Sequence, residues 1–228
     1  MLTKTGFGIT KDGEQASKYI MKNNSGLELE VSDFGALVLA IRVPDKNSVH
    51  SDVVLGFDTL EEYYDIATGF GAYIGRNGNR IEGACVTIDG VEYKLDANNN
   101  GNNLHSGNDR SHTKFYQAVT GESEEGSFVE FSRVSPHMEQ GFPGNLEQKI
   151  RYTLTEKNEL VMDYSQSSYG NHLCKGSVHL PVHETPVRYA PSELHFRMES
   201  IPNHIWQPSA YSSHEAFRTF PADFGCNA

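Results

Sequence analysis

Between residues 17 and 165 the apolar positions recur every second residue in short runs, and Gly, Asn and Asp interrupt them. That is the signature of strands joined by tight turns. Strands are expected at residues 19–21, 27–31, 37–43, 85–88, 91–95, 115–120, 128–135, 146–155 and 160–165. Asn24-Ser25-Gly26 and Glu156-Lys157-Asn158 supply turns, since Asn and Gly tolerate positive φ. Asp89-Gly90 between two alternating runs is the strongest local signal, a two-residue type I′ hairpin. One helical stretch interrupts the pattern, TLEEYY at residues 59–64. Asp58 or Thr59 would cap it, with acidic residues in the first turn where the helix dipole favours them. The fold class is therefore all-β, a sheet-rich sandwich.

The texture changes after about Ser165. The remaining residues hold six of the ten histidines, six of the nine prolines and the single tryptophan, Trp206. Proline removes a backbone donor and restrains its predecessor, so no sheet is expected there.

Composition narrows the partners. Thirty acidic against nineteen basic side chains give a formal charge of -11, which repels nucleic-acid phosphates and anionic lipid. Neither nucleic acid nor a membrane is an expected partner. Cys85, Cys174 and Cys226 form no CxxC pair and are odd in number, so they read as free thiols in a reducing compartment. The first residues lack an apolar signal core, and no run of about 18 apolar residues occurs, so a cytoplasmic location is expected. His179 and His183 have ligand spacing only on a helix, which Pro181 opposes, so no metal site is assigned.

Three polar segments carry the candidate chemistry. GRNGNRI at residues 75–81 packs two arginines and two asparagines around a glycine. An asparagine run at residues 98–103 leads into Leu104-His105-Ser106-Gly107, and Glu139 precedes a GFPG loop. The Asp89-Gly90 turn can bring Asn79-Arg80 back beside His105. A guanidinium, an imidazole and several amides lining one cleft suit a hydroxyl-rich ligand such as a sugar. Phosphate-cradle, zincin and serine-hydrolase motifs are lacking, which leaves acid–base work.

The order of FGALVLAIRVPD, DVVLGFDTLEEYY, GAYIGRNGNRI, IDGVEYKLDANNNGNNLHSG and VEFSRVSPHMEQGFPGNLEQKIRYTL resembles the aldose 1-epimerase (galactose mutarotase) family over approximately residues 6–165. The resemblance implies a galactose-mutarotase-like antiparallel β-sandwich. It also implies an enzyme that interconverts the α and β anomers of aldohexoses such as galactose and glucose, without a cofactor. Asn79, Arg80 and His105 match the family's sugar-binding residues, while Ser106 stands where LHGG has its first glycine. Arg76 is assigned a structural role. The family's catalytic histidine sits in a TNHSYFNL-like motif. By motif order its match here is His172 in Gly170-Asn171-His172-Leu173-Cys174, which lacks the aromatic tail.

No counterpart of the family's catalytic glutamate is found before Ala228. The expected division is therefore residues 1–165 as the sandwich portion, incomplete at its C-terminal end, and 166–228 as a divergent Pro/His-rich tail. A shifted reading frame or a splice would account for that tail. A non-catalytic carbohydrate-binding or regulatory protein, or an inert truncated product, is the alternative to an epimerase. The sequence leaves the oligomeric state open.

Overall fold

The computed structural model describes residues 1–45, 47–65, 69–168, 177–178 and 195–200. Five strands form a first antiparallel sheet in chain order: β1 (Leu2–Ile9), β2 (Gln15–Lys22), β3 (Glu28–Ser32), β4 (Val38–Pro44) and β5 (His50–Asp52). In β4 the run Val38-Leu39-Ala40-Ile41 is buried at every position, because both faces of this strand are covered. Val38 and Ile41 enter the main core, whereas Leu39 packs with Leu60, Tyr63, Ala72 and Ile74 on the opposite face. That second layer includes α1 (Leu60–Asp65). Thr59 is its cap: the Glu62 N–H donates to Thr59 Oγ1, and the Glu62 carboxylate accepts from the Thr59 N–H and hydroxyl, a capping box.

Short strands follow: β6 (Tyr73–Ile74), β7 (Arg80–Ile81), β8 (Cys85–Ile88), β9 (Val91–Lys94) and β10 (Asn103–Leu104). Asp89 (φ 52°) and Gly90 (φ 77°) turn β8 into β9, both with the positive φ that a type I′ hairpin requires. The second large sheet contains β11 (Gln117–Glu122), β12 (Gly126–Ser135), β13 (Leu146–Thr155) and β14 (Glu159–Ser168). In β12 and β13 burial alternates, with Val129, Phe131, Ile150 and Tyr152 inward and Glu130, Lys149 and Arg151 outward.

These inward side chains meet Tyr19, Met21, Leu29, Val31 and Ile41 of the first sheet in one apolar cluster, which makes the pair a sandwich. Polar bonds fasten the two sheets. Tyr152 donates its hydroxyl to the Ala36 carbonyl at 2.9 Å, and Asn23 Nδ2 donates to the Thr155 carbonyl at 2.9 Å and to Asn158 Oδ1 at 2.7 Å.

The all-β architecture expected from the alternation is observed, with further strands that the pattern does not show. Strand β1 escapes the hydrophobic pattern because most of it is exposed and glycines interrupt it. It is held by its ladder to β2, bulged between Gly6 and Gly8, and a Cβ at Gly8 would lie 2.9 Å from Leu60 Cβ. The three-residue edge strand β5 is likewise too short to leave a signal.

The absence of sheet after Ser165 needs correction. β14 runs on to Ser168, β15 (Ser177–Val178) pairs with β6, and β16 (His195–Ser200) pairs in parallel with β14. Pro191 and Pro202 lie outside β16, and His-Phe-Arg-Met-Glu-Ser between them keeps a period of two. No described helix is long and apolar enough to cross a membrane.

Candidate functional site

The β8–β9 hairpin returns the chain so that β10 lies antiparallel to β7, with Arg80 opposite Leu104 and Ile81 opposite Asn103. One residue beyond this ladder Asn79 and His105 meet. The His105 N–H donates to the Asn79 carbonyl at 3.0 Å, and the Asn79 N–H donates to His105 Nδ1 at 3.1 Å. Asn79 has φ 66°, a left-handed conformation that asparagine tolerates better than most residues. The exposed Arg80 donates from Nε to Asn99 Oδ1 at 2.9 Å and from Nη1 to Asn79 Oδ1 at 3.5 Å. Asn79, Arg80 and His105 thus form one contiguous polar group.

The asparagine run is an organised scaffold for it. Asn98 brackets Leu104, accepting from its N–H at 2.7 Å and donating to its carbonyl at 2.9 Å. Asn102 accepts from the Gly83 N–H at 3.0 Å, and Asn103 donates to the Asp96 carbonyl at 2.9 Å. Side-chain amides here replace the strand neighbours that the short β7–β10 ladder lacks.

The same segment also holds a buried polar cluster. Arg76 is 1% exposed. It donates from Nε to Ser135 Oγ (2.8 Å), from Nη1 to the Pro143 carbonyl (2.8 Å), and from Nη2 to the carbonyls of Ser135 (3.0 Å), Pro136 (2.7 Å) and Gly144 (2.8 Å). The GFPG loop is therefore a wrapper for a guanidinium. The Ser135 hydroxyl in turn donates to Glu139 Oε2, and Arg133 clamps that carboxylate at 3.0 and 2.6 Å. Burial opposes ionisation of Glu139, but the Arg133 fork and the Ser135 hydroxyl outweigh it and hold its carboxyl below the usual carboxylate range.

Two serines tie residues 73–77 to the following loops. Ser111 accepts from the Gly75 N–H at 3.0 Å and donates to the Tyr73 carbonyl at 2.8 Å. Ser106 accepts from the Asn77 N–H at 2.7 Å and donates to the Asn77 carbonyl at 3.1 Å. Next to Ser111, His112 is buried with Nδ1 unpaired among the described residues. Burial, helped by the charges of Arg110 and His105, pushes its pKa down to about 4.

This arrangement offers directional donors and acceptors to a polar ligand. Among the described residues, no group of three or more His, Cys, Asp or Glu side chains gathers as a metal cage would require.

A sequence model described as aldose 1-epimerase matches residues 17–172. The chain belongs to the aldose 1-epimerase family. Among relatives, the galactose mutarotase of Bos taurus is 35% identical over 199 residues, covering 82% of this chain and 56% of that protein. The aldose 1-epimerase of Escherichia coli K12 is 32% identical over 156 residues, covering 68% of this chain and 44% of the relative. The chain thus spans about half the length of these relatives.

Galactose 1-epimerase from Lactobacillus acidophilus superposes with a TM-score of 0.71 at 18% identity, over 79% of this chain and 52% of that one. An aldose epimerase homologue from C. elegans gives 0.68 at 28% identity, over 74% and 51%. The sandwich is accordingly the galactose-mutarotase-like fold of the aldose 1-epimerase family.

Of the site residues assigned from sequence, the structure brings Asn79, Arg80 and His105 together. His172, like His179 and His183, lies outside the described residues. The supporting roles of Ser106, Ser111 and Ser135 were not visible in the sequence. A serine has no periodic signature, and its partners lie 29, 36 and 59 residues away in the chain.

Proposed function

We propose that the chain holds an aldohexose such as galactose or glucose through Asn79, Arg80 and His105, and takes part in interconversion of its α and β anomers. The observation that carries this reading is the contiguous Asn79–Arg80–His105 group in a chain of the aldose 1-epimerase family. Amide, guanidinium and imidazole together supply both donors and acceptors, which is what a ring of hydroxyls needs.

In the proposed chemistry a base takes the proton of the C1 hydroxyl while an acid protonates the ring oxygen. The bond from C1 to the ring oxygen breaks, C1 becomes a carbonyl, and rotation about C1–C2 before reclosure gives the other anomer. Each positioned proton transfer contributes about 10²–10⁴-fold. His172 is assigned the acid role, and no residue of this chain is assigned as base. No cofactor enters these steps.

Polarimetry of freshly dissolved α-D-galactose and α-D-glucose tests the activity: mutarotation is expected to accelerate at micromolar protein, and an unchanged rate refutes catalysis. A second reading is a sugar binder without turnover, for which the contiguous Asn79–Arg80–His105 group suffices. Calorimetry with galactose separates the two. Heat in the wild type that is lost in Arg80→Ala, without mutarotation, identifies the binder.

A further inference from the structure

The sugar-facing group depends on one hydrogen bond that sets the chemistry of an imidazole. The Asn79 N–H donates to His105 Nδ1 at 3.1 Å. A nitrogen that accepts a hydrogen bond carries no proton, so the neutral ring must hold its hydrogen on Nε2 and present that atom as a donor. The bond exists only while residues 77–79 and 105–106 stay in register, and their two-residue β7–β10 ladder is short.

Ser106, the residue after His105, fastens the two segments together. It is 0% exposed, and its single hydroxyl both accepts from the Asn77 N–H (2.7 Å) and donates to the Asn77 carbonyl (3.1 Å). Its φ is 69°, a conformation in which glycine would be less strained. A side chain is kept where backbone preference alone would favour none, and its one polar atom spans both backbone groups of the residue two positions before Asn79.

We infer that Ser106 is a positioning residue that fixes His105 as an Nε2–H donor by clamping Asn77 and thereby holding the Asn79 N–H on His105 Nδ1. As a contributor to sugar binding, this inference rests on the function proposed above. As a clamp on the tautomer, it does not.

Long-range ¹H–¹⁵N correlation spectra of ¹⁵N-labelled full-length protein at pH 8 test it, with the His105 nitrogens assigned by their loss in His105→Gln. In the wild type, Nδ1 should resonate as an unprotonated nitrogen and Nε2 as a protonated one. Ser106→Gly relieves the backbone strain and Ser106→Ala retains the Cβ. In both, the two nitrogen shifts should move toward each other as the tautomers mix. A purely structural serine would leave them in place.

A protonated Nδ1 in the wild type, or wild-type shifts in both variants, overturns the clamp. Galactose added to the same samples should bind ~3–10-fold more weakly in the variants, the worth of one neutral hydrogen bond. If the tautomer behaves as expected and no sample responds to galactose, the clamp stands and the sugar reading falls.

Discussion

Replacing Arg76 by Met removes the donors of the buried polar cluster while keeping most of the side chain's length. Five acceptor atoms lose their partner: Ser135 Oγ and the carbonyls of Ser135, Pro136, Pro143 and Gly144. The bonds to Pro136 and Gly144 are only partly buried, so water can replace the guanidinium there. Those to Ser135 Oγ, Ser135 O and Pro143 O are buried, and each stranded acceptor costs about 1–3 kcal/mol. Relief of the guanidinium's own desolvation, several kcal/mol, offsets part of this.

The net expectation is a loss of about 3–5 kcal/mol, comparable with breaking a buried ionic contact. Arg76→Lys keeps a charge and three donors but not the planar fork, and should lose about half as much. Urea unfolding followed by fluorescence measures both. With a slope of about 3 kcal/mol/M, the Met variant should shift the midpoint down by about 1–1.7 M. A shift below about 0.3 M at unchanged slope would show that the GFPG loop does not need the guanidinium.

Three further outcomes are expected. His112 has a folded pKa of about 4 against an ordinary 6.5, so the unfolded chain binds the extra proton between those values. Its contribution is present above about pH 6.5 and is lost as pH falls toward 4, up to roughly 3 kcal/mol, and a His112→Asn variant should flatten that slope in urea midpoints. Tyr152→Phe strands the Ala36 carbonyl and should cost about 1–2 kcal/mol by the same denaturation assay; no loss would mean water takes the place of the hydroxyl. Thr59→Ala removes the exposed cap of α1 and should cost about 1 kcal/mol, read as a lowered Tm.

What the sequence revealed follows from the range of the interaction behind each feature. The strand at Val38–Pro44 was legible because its burial is written in consecutive apolar residues, and the β8–β9 turn because Asp89-Gly90 meets a local dihedral requirement. TLEEYY marked a helix, but choosing Thr59 over Asp58 as cap required the reciprocal bonds with Glu62. Strand β1 was missed because exposed residues paired through their backbone leave no hydrophobic period.

At the candidate site, grouping of Asn79, Arg80 and His105 was foreseeable from the intervening hairpin and from the resemblance. Arg76 differs from Arg80 only through oxygens contributed by residues 135–144, and nothing in GRNGNRI identifies them. Ser106 is plainer still: its function is a bond to residue 77 that no spacing rule encodes.

The Asn23 bridge bears on the order in which the molecule assembles. Strands β1 to β5 neighbour one another in chain order, as do β11 to β14, so each meander's ladder closes short loops. The bond from Asn23 to Thr155 instead closes a separation of 132 residues, where chain entropy is costly and contacts form slowly. Through its Oδ1, Asn23 also accepts from the Leu27 N–H at 2.9 Å, so it shapes its own hairpin before it grips the other sheet. The residue that completes a local turn early is thus also the latch that records when the two halves of the sandwich have docked.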